Sequence, residues 1–286
     1  MSLSGREIMF AEIAAVLEAC RNPSPHVQFA CMLARDLDAT LVGIHPQVVE
    51  PPHLDLLLGS RSAVVAAEAA AMQTARADIE IRQIFETTAF DAGVQWEWRE
   101  PGEAATARIA RHARYSDLLL LFRQASCDHG RAAAVNIPGV IMESGRPALV
   151  LPPEYRPPHL PFRRVVIGWN GSREASRAVH DALPFLRRAD RVILAIAAED
   201  SLFRAEDEPA LDIGKHLQRH GVRVDVERLA APGQDAGTQI LSLAGSISAD
   251  LIVAGCYGHV RLTEFLFGGV SRTLLGNSTI PLLLSY

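Results

Sequence analysis

The sequence predicts an α/β protein built as two tandem open parallel five-stranded sheets with helices on both faces. Three observations carry this. Short apolar runs of the kind found in buried parallel strands alternate with segments of helical periodicity, the pattern of βαβ crossovers. The same order of elements occurs twice, on either side of a proline-rich stretch. With 286 residues, 49% of them apolar, the chain sits near the size at which one core divides into two.

The proline-rich stretch contains Pro152, Pro153, Pro157, Pro158 and Pro161, a linker composition. It divides the chain into residues 1–152, a linker at 153–161 and residues 162–286. In the first part strands are expected at Ile13–Leu17, Leu41–Ile44, Val94–Trp98, Leu118–Phe122 and Ala148–Leu151, with a long Ala-rich helix from about Arg61 to Ala92. In the second they are expected at Val165–Gly168, Val192–Ile196, Val222–Glu227, Leu251–Ala254 and Pro281–Leu284. The two series match locally. Gly93-Val94-Gln95-Trp96 parallels Gly221-Val222-Arg223-Val224, Pro101-Gly102 parallels Pro232-Gly233, and Ser116-Asp117-Leu118 parallels Ala249-Asp250-Leu251. Such repetition implies duplication.

The segment of greatest chemical interest follows Leu251–Ala254: Gly255-Cys256-Tyr257-Gly258, nine further residues, then Gly268-Gly269-Val270-Ser271. A parallel strand delivers its backbone to the sheet edge where ligands bind. Glycines there permit positive φ and a close approach of main-chain N–H groups to an anion, and Gly268–Ser271 opens the next helix, whose N-terminal dipole favours negative charge. The pattern points to a phosphate cradle, although glycines also punctuate ordinary loops. A second strand ends in Gly168-Trp169-Asn170-Gly171-Ser172, where Ser172 is placed to cap a helix running through Ala175, Ala178, Val179, Ala182 and Leu186.

Taken with the closing Ile280-Pro281-Leu282-Leu283-Leu284, these glycines resemble the adenine-nucleotide-binding signature of the universal stress protein family. The resemblance is strong in the C-terminal half and weak in the N-terminal half. It implies a Rossmann-like fold of the adenine nucleotide alpha hydrolase type. It also implies a stress-response or signalling role in which ATP or another adenine nucleotide, with or without Mg, is bound. Carried over residue by residue, the nucleotide-binding set is Gly168, Asn170, Ile196, Gly255, Gly258, His259, Gly268, Gly269, Val270 and Ser271. Two positions depart from the family pattern. Gly269 stands where Ser or Thr is usual, with Ser271 two residues on, and Asn170 stands where the family has an Asp that contacts adenine or ribose. Asn170 still donates and accepts hydrogen bonds but carries no charge. His259 and Arg261 are placed either to meet phosphate oxygens or to stand in solvent. Ile196 either lines an adenine pocket or fills the core.

The N-terminal half lacks this equipment. Arg123-Gln124-Ala125-Ser126-Cys127-Asp128-His129 follows Phe122 where glycines would cradle phosphate, and Glu18 follows Val16-Leu17 where a carboxylate hinders a nucleotide. One site per chain is expected, in the C-terminal half.

Several classes are disfavoured. A net charge of −5 without a basic stripe argues against nucleic acid. The absence of a long uncharged apolar run or a secretory h-region argues against a membrane and points to the cytoplasm. The four cysteines form no C-x-x-C pair, Cys127-Asp128-His129 reads as a surface loop, and no metal site is assigned. Cys256 lies where neighbouring N–H groups would lower a thiol pKa, or it simply fills the loop. No Walker A lysine, nucleophile elbow or zinc motif is present, so no catalytic residue is assigned and turnover is at most slow ATP hydrolysis.

The expected function is adenine-nucleotide binding in the C-terminal half; the alternative is a nucleotide-independent interaction scaffold in which both sites are degenerate. The closing strands of the two halves are expected to pair within the chain, burying Val150, Leu151, Leu282 and Leu284. Any homodimer would use other surfaces, such as the Ala-rich helix.

Overall fold

The computed structural model describes residues 10–18, 22–47, 61–102, 106–124, 135–153, 155, 162–197, 209–229, 233–256 and 269–286. They group into two compact units, one from Ala11–Ser144 and Pro153–Arg156, the other from Gly145–Pro152 and Pro157–Tyr286 together with Phe10.

The first unit runs β1 (Glu12–Val16), α1 (Ser24–Asp36), β2 (Thr40–Ile44), α2 (Arg61–Asp91), β3 (Trp96–Arg99), α3 (Thr106–Ala113), β4 (Leu118–Phe122) and α4 (Ile137–Ser144). Its strands are parallel in the order β3-β2-β1-β4. Ile13, Leu41 and Leu118 share one register row and are fully buried, as expected of continuous apolar strands covered on both faces.

The second unit begins with β5 (Ala148–Leu151) and continues through β6 (Arg164–Trp169), α5 (Arg173–Asp181), α6 (Leu183–Leu186), β7 (Arg191–Ala197), α7 (Pro209–Arg219) and β8 (Asp225–Leu229). It closes with α8 (Ala236–Ser246), β9 (Leu251–Gly255), α9 (Gly269–Asn277) and β10 (Leu282–Ser285). The order is β5-β10-β9-β6-β7-β8, parallel except for β5. In both units the chain's first parallel strand is central, and the strand order reverses beside it: at β1/β4 in one, at β6/β9 in the other. Such reversals open a crevice at the carboxyl ends of the strands.

The expected pairing of the closing strands is present. β10 runs antiparallel to β5, with Leu282, Leu283 and Leu284 opposite Val150, Leu149 and Ala148, all buried. The Ser116-Asp117 and Ala249-Asp250 repeat also has a physical explanation. Asp117 accepts hydrogen bonds from the amides of Ala11 and Glu12, and Asp250 from those of Arg163 and Arg164. Each carboxylate thereby satisfies the backbone at the start of its central strand.

Two strands start two or three residues later than the sequence reading, and β5, expected to close the first half, belongs to the second unit. Strands expected from Val94 and Val222 start instead at Trp96 and Asp225. Gly93 and Gly221 have φ of +68° and +82°. Gly93 donates to Phe90 and Val94 to Ala89, while Gly221 donates to Gln218 and Val222 to Leu217. These are Schellman caps, in which the apolar residue after the glycine packs back on the helix it ends. The helix expected to run from Ala175 to Leu186 is broken at Ala182, and Pro184 sits in the first turn of the short α6.

A fragment of residues 162–286 lacks β5 and leaves the apolar edge of β10 open. It should self-associate in light scattering, and a stable monodisperse monomer would contradict the importance of the β5–β10 pair.

Candidate functional site

The carboxyl ends of β6 and β9 carry the described part of the site. β6 ends at Trp169, and Asn170 Oδ1 accepts from the Ser172 amide at 3.1 Å, so the chain turns tightly there. Ser172 then caps α5 as expected, its Oγ accepting from the Ala175 amide at 3.1 Å. The Asn170 side-chain nitrogen donates to no described group. Beside it, the indole nitrogen of Trp169 is buried and makes no hydrogen bond among the described residues.

Gly255 has a packing role that its place in the glycine motif does not reveal. A Cβ there would collide with the Ala175 amide nitrogen and lie 2.5 Å from the carbonyl carbon of Glu174. The glycine is required because the first turn of α5 rests directly on β9, and phosphate binding is not needed to explain it. The next amide is also committed: Cys256 N donates to Ser285 O at 2.9 Å, and its thiol donates to the same carbonyl at 3.2 Å. Burial, with the Glu174 charge adding to it, pushes the Cys256 thiol up to about 12. This reverses the expectation of a lowered pKa, since the thiolate would be cut off from solvent and would face the Glu174 carboxylate.

Gly168 is also a packing residue, its Cβ position lying 3.0 Å from Ile240 Cδ1 of α8. Ile196, 5% exposed, belongs to the core, next to Trp169 in register. Gly269, Val270 and Ser271 form the first turn of α9, as the helix start after the glycines predicts, and Ser271 is buried. Their amides belong to the first turn, where N–H groups have no intrahelical acceptor. Gly258, His259 and Gly268, like Arg261 and Cys127-Asp128-His129, lie outside the described residues. Among the described residues no group of acidic, histidine and cysteine side chains is arranged to hold a metal ion.

Three residues at this edge escape sequence inspection. Glu174 is buried beneath the α5 start and paired with Arg173. Burial alone would raise its pKa, but the Arg173 hydrogen bond, its own backbone and Ser172 together hold it below the ordinary value. Asp235 caps α8 through the Thr238 amide, and its Oδ1 lies 3.3 Å from a Cβ built on Gly269. Trp169 is the third. An aromatic donor closing an apolar strand is a faint signal, whereas Glu174 looks in sequence like a surface charge and Asp235 is an exposed cap.

In the first unit polar side chains at the corresponding edge are bonded to the chain itself. Glu18 Oε1 accepts from the Val135 amide at 2.8 Å, just before α4, and Oε2 lies 3.4 Å from Gln124 Nε2. His45 stands beyond the end of β2, with Nδ1 2.7 Å from Leu17 O and Nε2 3.0 Å from Asp78 Oδ1. Burial pushes the Glu18 carboxyl up against the opposing pull of Val135, Gln124 and His45.

Residues 161–285 match the model of the universal stress protein family. The C-terminal half of this chain belongs to that family. At the level of fold the likeness extends further. A universal stress protein from Archaeoglobus fulgidus superposes with a TM-score of 0.65 at 16% identity, covering 95% of this chain and 97% of the other. Two Pseudomonas aeruginosa proteins give TM-scores of 0.59 at 14% and 13% identity, each covering 96% of this chain and 93% and 92% of their own. No curated protein matches the chain. The universal stress protein half therefore has its family's mostly parallel sheet flanked by helices, and none of the described helices is long and apolar enough to cross a membrane.

Three outcomes follow. Gly255→Ala should lower unfolding stability by about 1–3 kcal/mol or more in denaturant titration, because the added methyl meets backbone. Cys256 should resist alkylation at pH 8 in the native chain and react on unfolding, as mapped by mass spectrometry. A carboxyl whose pKa is raised by folding stabilises the fold below its unfolded-state pKa, and that contribution is lost as pH rises through the folded-state value. Glu18→Gln should accordingly raise the unfolding midpoint at pH 7, with the difference vanishing below the ordinary carboxylate range.

Proposed function

We propose that the chain is a cytoplasmic, tandem universal stress protein that binds one adenine nucleotide, ATP or a relative, at the carboxyl ends of β6 and β9, in a stress-response or signalling role. The observation that carries this reading is the pair of uncommitted donors, the Asn170 amide and the buried Trp169 indole, at the strand-order reversal of the family-matched sheet. Asn170 would meet the nucleoside, and the first turn of α9, with Gly258 and Gly268 before it, would take the phosphates. The nucleotide contributes binding energy and a state to be read by a partner; no base is assigned for its hydrolysis. Glu18, already seated against the Val135 amide in the first unit, supports a single site per chain.

One set of observations favours the scaffold reading instead. The Cys256 amide is spoken for by Ser285, Asp235 puts a carboxylate beside the start of α9, and Glu174 puts another beneath the start of α5. Calorimetric titration of the full chain with ATP separates the two. Saturable binding at one site, lost in a folded Gly258→Val variant, is expected here. Absence of binding, or unchanged binding in that variant, would favour the scaffold.

A further inference from the structure

Trp169 deepens the nucleotide reading, on which this inference rests. The residue is only partly buried, yet its indole nitrogen is shielded from solvent and unpaired among the described residues. A buried donor without an acceptor is costly, and an indole N–H can only donate. Apolar packing explains the ring but not the nitrogen.

Its place in the sheet limits what the missing acceptor is. Gly168 faces Ile240 of α8, so Trp169, the next residue along the strand, faces the opposite side of the sheet. That side carries α5, whose first turn lies on Gly255 of the adjoining strand β9. The first turn of α9 lies with α8, since Gly237 of α8 has room only for a hydrogen against Thr273 of α9. The helix terminus suited to phosphate and the free indole thus flank the sheet edge from opposite faces. A nucleotide lying across that edge with its phosphates on α9 brings its nucleoside towards Trp169. Adenine ring nitrogens and ribose oxygens supply the acceptors that an indole requires.

We propose that Trp169 donates a hydrogen bond through its indole nitrogen to the nucleoside portion of the bound nucleotide, acting beside Asn170 as a recognition residue.

The test uses the full chain labelled with nitrogen-15, titrated separately with adenosine and with ATP. The three tryptophans, Trp96, Trp98 and Trp169, give three indole signals, and the one missing from Trp169→Phe is assigned. If that variant fails to fold, Trp96→Phe and Trp98→Phe assign the signal by elimination. The Trp169 indole proton should move downfield with both ligands, and Trp169→Phe should weaken both by a similar factor of about tenfold. An indole signal unmoved at saturation, or a folded Trp169→Phe variant with native affinity, would overturn the proposal and leave nucleotide binding intact. A shift with ATP but not with adenosine would overturn the assignment to the nucleoside. A chain that binds neither ligand fails the functional reading, and this inference with it.

Discussion

The contact on which the C-terminal unit depends is the seating of the first turn of α5 on β9 at Gly255. Backbone meets backbone there at a distance that excludes even a methyl group. The contact explains several features at once. Glu174 is driven under the helix and needs Arg173 beside it, because a buried carboxylate is tolerated only when paired. Cys256 is enclosed, with both its amide and its thiol directed at Ser285. The Ser285 hydroxyl in turn donates to Asp181 at the far end of α5, so the helix is pinned to the sheet at both ends.

That arrangement also shapes the crevice. With α5 pressed onto β9, the glycine that ends the strand serves packing, and the donors left uncommitted belong to the end of β6. On the proposed reading, the edge therefore offers hydrogen-bond donors from Asn170 and Trp169, with acids at its margins. The first unit solves the equivalent edge differently. Its own Glu18 carboxylate occupies a helix-leading amide, the kind of position an anionic ligand would otherwise take.

Much of the fold is legible in the chain because parallel strands buried on both faces must be continuous apolar runs. Leu118–Phe122 and Ala148–Leu151 appear as strands at the residues expected, and the long helix ends within a residue of its expected limit. Strand starts at Val94 and Val222 were illegible for a physical reason: a valine capping a helix and a valine opening a strand are both buried and both follow a glycine. The turn that ends β6 and the cap of α5 were legible through Asn-Gly-Ser. What each glycine does was not, since Gly255 against a helix and a glycine against phosphate leave the same letter. Glu174 and Trp169 acquire meaning only from burial, which no spacing in the sequence encodes.

The central claim is that one nucleotide lies at the carboxyl edge of β6 and β9 in the universal stress protein half. Photolabelling of the intact chain with an azido-adenine analogue of ATP, followed by peptide mapping, tests it most directly. The account predicts label on the segments that end β6 and flank it, displaced by unlabelled ATP, with none in residues 11–144. Label confined to the first unit, or labelling that ATP does not displace, would contradict it.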